Sequence, residues 1–253
     1  MKIEAYLKCR GVFESMRSLN GKIVYFDAHL ERLARSCSLI KLKLPLTPAE
    51  LKAEISRAIS FSQVQDNYIK LTVRRCGLKS GYSVLVKEYM PQPAAKYESG
   101  FRAAVAARRQ DTENPLAQVK SIDRVFYESG FREAKARGLD EAIILNSYGY
   151  IAEGTRSNVF IAKNQELFTP ELDCGCLDGV TRRVIFDLAR KAGINVFEAK
   201  ITLKDLYCSD EAFLTNSLIG VMPLVSAENR KVGNRKAGKL IKWLIKKYNS
   251  LLN

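Results

Sequence analysis

With 253 residues, 47% of them hydrophobic, the chain can build one large or two modest globular domains, and no run approaches the roughly 18 apolar residues that suggest a membrane span. A single histidine, His29, excludes most histidine-based triads, dyads and transition-metal sites, so the proton carrier of any enzyme here is expected to be a lysine, a carboxylate or a tyrosine. The net charge of +14 points to anionic partners without choosing among nucleic acid, acidic membrane and phosphorylated or carboxylated ligands.

In chain order, the start MKIEAYLKCR lacks the pattern of a secretory signal, which gives a cytoplasmic expectation. Asn20-Gly21 predicts a tight hairpin turn between strands Gly11 to Ser18 and Lys22 to Phe26. Asp27 is placed to cap a helix carrying Leu30, Leu33, Cys37 and Ile40 on one face. Thr47-Pro48-Ala49-Glu50 combines a capping box with proline at the first position of a second helix, ending near Ser60. Tyr68 to Arg75, Ser83 to Tyr89 and Phe101 to Ala107 are rich in β-branched and aromatic residues and predict strands.

The polar stretch Arg108 to Val119 (RRQDTENPLAQV) predicts an interdomain connection: a small amino-terminal α/β domain over 1–109, a linker over 110–119 and a larger α+β domain over 120–253. Beyond it come a helix from Ser121 to Arg137, strands Glu141 to Asn146 and Ser157 to Ala162, and a short strand ending at Thr169. A helix from Thr181 to Ala192, strands Asn195 to Ala199 and Glu211 to Asn216, and a terminal helix complete the order. The terminal Lys236 to Tyr248 is amphipathic, with Leu240, Trp243, Leu244 and Ile245 on one face. It predicts a docked helix with a solvated basic side, and a nucleic-acid contact through Lys242, Lys246 and Lys247 is the alternative. The six cysteines are scattered and predict reduced thiols; Cys174-Gly175-Cys176 is the one close pair, and no metal site is expected.

Three places carry candidate chemistry. Gly179-Val180-Thr181 opens an amphipathic helix whose first-turn N–H groups and hydroxyl suit a phosphate. Lys120 stands at a loop edge directly before the helix opened by Ser121, with Ile122, Val125 and Phe126 suited to burial around it. Apolar surroundings weaken an amine's preference for its charged form, as a Schiff-base former and proton shuttle requires. Glu153 follows the strand and turn Tyr148 to Ala152 and opens a polar corner, where it caps a bend or pairs with a ligand cation.

Six segments in register, GVFESMR (11–17), HLERL (29–33), KSID (120–123), AEGTRSNVF (152–160), GVTR (179–182) and LTNS (214–217), resemble the successive signatures of class IV, fold type IV, pyridoxal-phosphate enzymes. The resemblance spans about Gly11 to Leu224. It implies a two-domain fold with the cofactor in a cleft, a homodimer, and an amine or amino-acid-like substrate. It further implies that Lys120 is the Schiff-base lysine, that Glu153 binds the pyridine nitrogen, and that Arg32, Val180, Thr181, Asn216 and Ser217 form the phosphate cup.

Three subgroups share these motifs: branched-chain aminotransferases, D-amino-acid aminotransferases and 4-amino-4-deoxychorismate lyases. The segments 113–116, 77–83, 176–179 and 215–223 look most like the lyases, with Arg74, Arg75 and Tyr82 as candidate substrate residues. Departures from the pattern are Arg156 where a smaller residue is usual, Asp123 where asparagine is common, and a short segment before Gly11.

Overall fold

The Asn20-Gly21 turn forms with both residues at positive φ (48° and 75°), the conformation that matches the twist of a two-residue hairpin. It joins β1 (Gly11–Leu19) to β2 (Lys22–Ile23), in a computed structural model that describes residues 10–77 and 79–252. The expectation about the segment before Gly11 therefore lies outside the described residues, apart from Arg10. Asp27 is not the cap of the next helix. Tyr25, in a left-handed conformation, precedes α1 (Phe26–Leu39), and Asp27 sits in its first turn, where its charge complements the helix dipole. The Thr47 capping box forms in full at α2 (Pro48–Ser62), with Thr47 and Glu50 bonding reciprocally.

The chain divides into two units. The first holds the described residues up to Pro91 together with Gln118–Arg124 and Leu252. Its four-stranded antiparallel sheet has the order β2-β1-β3-β4, with β3 Asn67–Cys76 and β4 Lys79–Glu88. Alternation along β1 and β3 puts Val12, Met16, Ile69, Leu71 and Val73 in the core with Leu30, Leu33, Leu51 and Ile55 of the two helices. Segment 118–124 completes this unit: Ser121 bridges Val12, and the Lys120 carbonyl accepts from the Phe13 N–H at 2.9 Å.

The second unit takes Gln92–Ala117 and Val125–Leu251. It begins with α3 (Ala94–Ser99) and β5 (Phe101–Val105), earlier than the predicted boundary near 110, because Phe101 and Ala103 belong to its core. After α4 (Val125–Ala136) come β6 (Glu141–Leu145), β7 (Ile151–Gly154), β8 (Asn158–Lys163) and β9 (Glu166–Pro170). Then follow α5 (Val180–Lys191), β10 (Val196–Ala199), α6 (Leu203–Tyr207), β11 (Glu211–Asn216), β12 (Gly220–Ala227), β13 (Arg230–Lys231) and α7 (Lys239–Ser250). The mixed sheet runs β10-β9-β8-β11-β12-β5-β6-β7, with β13 added to β12.

One side of this sheet buries Val159, Ile161, Leu214, Met222 and Leu224. On the other, Phe160 and Phe213 stack at 4.8 Å beside Phe186 of α5. Helix α7 docks with its basic residues Lys242, Lys246 and Lys247 outward, but the face it buries is Ile241, Leu244 and Tyr248, whereas Leu240, Trp243 and Ile245 of the expected face are half-buried. No helix among the described residues is long and apolar enough to cross a membrane, and no cluster of His, Cys, Asp and Glu among them could hold a metal.

Candidate functional site

In the first unit the site residues gather on β1 and α1. Glu14 lies between Val12 and Met16 on the core side of β1, only 1% exposed. An isolated carboxylate there would cost several kcal/mol in lost hydration, so it must be paired. Arg32 supplies the pair: its Nε donates to Oε1 at 2.8 Å and its Nη2 to Oε2 at 2.7 Å, a two-point fork.

His29, one turn earlier on the same helix face, bonds Oε2 through Nδ1 at 2.8 Å. Burial opposes ionisation of Glu14, but the Arg32 charge and the hydrogen bonds from Arg32 and His29 prevail and bring its carboxyl down to about 2. Burial also dominates at His29, holding its imidazole below the usual range against the pull of Glu14, with the Arg32 and Lys120 charges adding to the effect. The histidine is therefore neutral near pH 7, with its proton on Nδ1, donated to Glu14.

Lys120 is half-buried. Its Nζ stands 4.9 Å from the centre of the Phe13 ring, which Lys70 and Arg124 also approach, at 4.8 and 5.7 Å. The apolar surface beside it is thus Phe13 of β1, whereas the expected neighbour Val125 is 75% exposed. Ser121 opens no helix: α4 starts only at Val125.

Arg74 lies opposite Gly11, on the same strand parity as Phe13. Arg75 and Tyr82 instead have the parity of the buried Val73, and the Arg75 Nη2 caps α1 by donating to the Ile40 carbonyl. The three candidate substrate residues therefore do not share a face, and only Arg74 lies on the face of Phe13.

In the second unit the remaining candidates lie on β7, on β8, at the start of α5 and at the β11–β12 turn. Glu153 lies within β7, two residues into the strand that follows the turn at 147–149, is buried, and accepts the Leu177 N–H at 3.1 Å. Asn158 Nδ2 donates to the Leu177 carbonyl at 2.7 Å, which fixes the approach to α5. Gly179 is the N-cap of α5 and contributes no side-chain cap; any Cβ there would collide with Asn158 Oδ1. The Thr181 hydroxyl in the first turn is buried without a hydrogen-bond partner, as is that of Thr215 on β11. Buried hydroxyls are nearly always satisfied, so the exception at Thr181 marks a place for an acceptor, and a phosphate at a helix start supplies one.

Asn216 closes the β11–β12 turn by accepting from the Leu218 and Ile219 N–H groups at 2.8 Å each, and its Nδ2 donates to the Arg156 carbonyl at 2.9 Å. That ties the turn carrying Ser217 to the loop after Glu153. The loop is itself wrapped around Glu141, whose buried carboxylate accepts from the N–H groups of Ala142, Thr155 and Arg156 and the hydroxyls of Thr155 and Ser157. Arg156, the departure from the family pattern, stacks over Phe131 at 3.6 Å and pairs with Glu128 at 2.8 Å, away from the turn its carbonyl holds.

Cys174 and Cys176 are buried thiols. Burial pushes Cys174 up to about 11, and burial with the nearby Glu153 charge pushes Cys176 higher still, so neither is a ready nucleophile or metal ligand. The sequence reading missed Glu14, Glu141 and Thr215. A signal existed for Glu14, a lone carboxylate on the parity of Val12 and Met16.

If the helix start takes the anionic group, a side chain at position 179 should disturb it. Gly179→Ala is expected to cost about 1–3 kcal/mol of stability through overpacking and to weaken retention of a phosphorylated ligand. Thermal melts with and without that ligand check both effects.

The residues present suit pyridoxal phosphate: a half-buried lysine, a buried carboxylate, an arginine fixed by an acid, and a helix start with an unsatisfied hydroxyl. The amino-transferase class IV family pattern matches residues 11–227. A relative from Methanocaldococcus jannaschii described as a putative branched-chain-amino-acid aminotransferase is 31% identical over 95% of this chain and 86% of its own length. Among solved structures, branched-chain aminotransferase of Escherichia coli superposes with a TM-score of 0.90 at 24% identity, over 96% of this chain and 86% of that one, a likeness of fold. A putative 4-amino-4-deoxychorismate lyase of Legionella pneumophila gives 0.88 at 25% identity, over 96% and 91%. The chain belongs to the class IV aminotransferases, enzymes of fold type IV that work with pyridoxal phosphate.

Proposed function

We propose that Lys120 is the Schiff-base lysine and the proton carrier of this enzyme, and that its reaction begins by removing the proton from the carbon that bears the substrate's amine. The carrying observation is the placement of Lys120, half-buried against Phe13 with its backbone pinned to β1. An amine so held can alternate between covalent attachment and proton transfer. Bound pyridoxal phosphate supplies an aldehyde and an electron-accepting ring. Glu153 holds the ring nitrogen protonated, and Arg32, the Val180 and Thr181 first turn, Asn216 and Ser217 bind the phosphate.

Of the reactions open to this arrangement, we place first the cleavage of 4-amino-4-deoxychorismate. Lys120 takes the proton from the amine-bearing carbon, the C–O bond to the enolpyruvyl group breaks, and the products are pyruvate and 4-aminobenzoate. The segments 113–116, 176–179 and 215–223 and the Legionella pneumophila likeness support this reading. Transamination of a branched-chain or D-amino acid is the second reading, and the Methanocaldococcus jannaschii relative favours it. There Lys120 would return the proton to the cofactor's carbon, and a keto acid would leave. On the family resemblance, we take the enzyme to be a homodimer.

One assay separates the two. The holoenzyme is given aminodeoxychorismate in one reaction, and L-leucine or D-alanine with 2-oxoglutarate in others. Pyruvate and 4-aminobenzoate in equal amounts from the first, without glutamate from the others, is the expected result; glutamate formation without 4-aminobenzoate selects the transaminase.

A further inference from the structure

We propose that Glu14 is a positioning residue for the cofactor's phosphate, acting through Arg32. The inference rests on the reading of Arg32 as a phosphate ligand. Glu14 cannot itself touch an anion favourably, yet it is built into the site: fully buried on β1, it takes both Nε–H and one Nη2–H of Arg32 at 2.8 and 2.7 Å, and the Nδ1–H of His29 at 2.8 Å.

A guanidinium has five N–H donors in a rigid plane. Fixing the Nε–Nη2 edge on a carboxylate leaves it one orientation, with the Nη1 edge turned away from Glu14. A lysine at 32 could not be fixed this way. His29, at i and i+3 with Arg32, gives the carboxylate a third hold on α1, so helix and strand share one anchor.

Two effects of Glu14 oppose each other, which makes its role testable. Its charge cancels that of Arg32, so on Coulomb attraction alone, removing it would tighten the grip on a dianion. Its geometry pre-sets the fork, so on orientation, removing it would loosen that grip. The buried two-point pairing makes orientation the larger effect.

The experiment compares wild type, Glu14→Gln and Glu14→Asp, freed of cofactor, for binding of pyridoxal phosphate and of pyridoxal, which has the same aldehyde but no phosphate. Binding is followed by visible absorbance, and thermal melts with inorganic phosphate run alongside. Glu14→Gln is expected to bind pyridoxal phosphate about ten-fold or more weaker, in the range seen when a ligand's supporting partner is removed. It should bind pyridoxal within about two-fold of wild type and lose the stabilisation by phosphate. Glu14→Asp, charged but one methylene short, is expected in between, and it carries the comparison if the glutamine variant does not fold.

Unchanged or tighter binding of pyridoxal phosphate overturns the proposal, as does an equal loss of both aldehydes. A wild type that holds neither aldehyde overturns the cofactor reading and this one together. A wild type that holds the cofactor beside an equally competent Glu14→Gln overturns only the role of Glu14.

Discussion

Lys120→Ala protein is expected to lose the visible absorbance of the cofactor-loaded enzyme, and its turnover should fall by at least about 10²–10⁴-fold, the usual worth of a positioned proton carrier. The carbonyl of Lys120 accepts from Phe13, the Ile122 N–H donates to the Gly11 carbonyl at 3.0 Å, and Ser121 bridges Val12, so the stem of the side chain leaves a fixed piece of backbone. Lys120→Arg keeps a cation at that place but cannot condense with an aldehyde, so it should be as colourless as the alanine variant. Borohydride reduction of the wild type followed by peptide mapping should put the label on Lys120. A variant that stays yellow, or a label on another lysine, would remove the central claim.

The largest loss of stability is expected at Glu141. Its carboxylate is the common acceptor for the Ala142 N–H beside it on β6 and for two backbone N–H groups and two hydroxyls in the loop between β7 and β8. Alanine would deprive the Ala142 N–H and the buried Thr155 and Ser157 hydroxyls of this acceptor, at a cost of about 3–5 kcal/mol. For a chain of this size that lowers the melting temperature by roughly 6–20 °C. Glu54→Gln, which breaks an exposed pair with Arg57 on α2, should leave the melt unchanged. Since the same loop follows directly on the strand of Glu153 and holds Asn216 through the Arg156 carbonyl, Glu141→Ala protein that still folds is also expected to bind pyridoxal phosphate poorly. A melt within 2 °C of wild type, roughly the shift of half a kcal/mol, would contradict this account of the loop.

How far the sequence disclosed this depends on how local each signal is. Asn20-Gly21 and Thr47 with Glu50 act on backbone within three residues, so the hairpin and the start of α2 were legible. Ser121 misled because it does act like a cap: its Oγ accepts the Asp123 N–H at 3.0 Å, a local turn that competes with helix while the segment pairs with β1 instead. Strand β12 escaped notice because Pro223 argues against a central strand. The structure accommodates it because pairing with β5 begins only at Leu224, one residue later, and is followed by an irregularity.

The anchors of the site were the least visible. Glu14 finds Arg32 eighteen positions away and Glu141 finds Thr155 fourteen away, partners that only the fold brings together. Lys120, Glu153 and Thr181 stood out weakly by local context, a loop edge, a polar corner and a helix start, and the family resemblance supplied their roles, while the composition offered only the scarcity of histidine.

The excursion of Gln118–Arg124 into the first unit bears on how the protein is made. A ribosome working at about 5–20 residues per second finishes the first ninety-one positions seconds before the lysine that this sheet must receive. A nascent chain stopped at Pro91 would own every strand of that sheet yet lack the lysine proposed to hold the cofactor. The second unit cannot be cut out as one continuous fragment without taking those seven residues along, so a split at the predicted linker would part Lys120 from the sheet its segment completes.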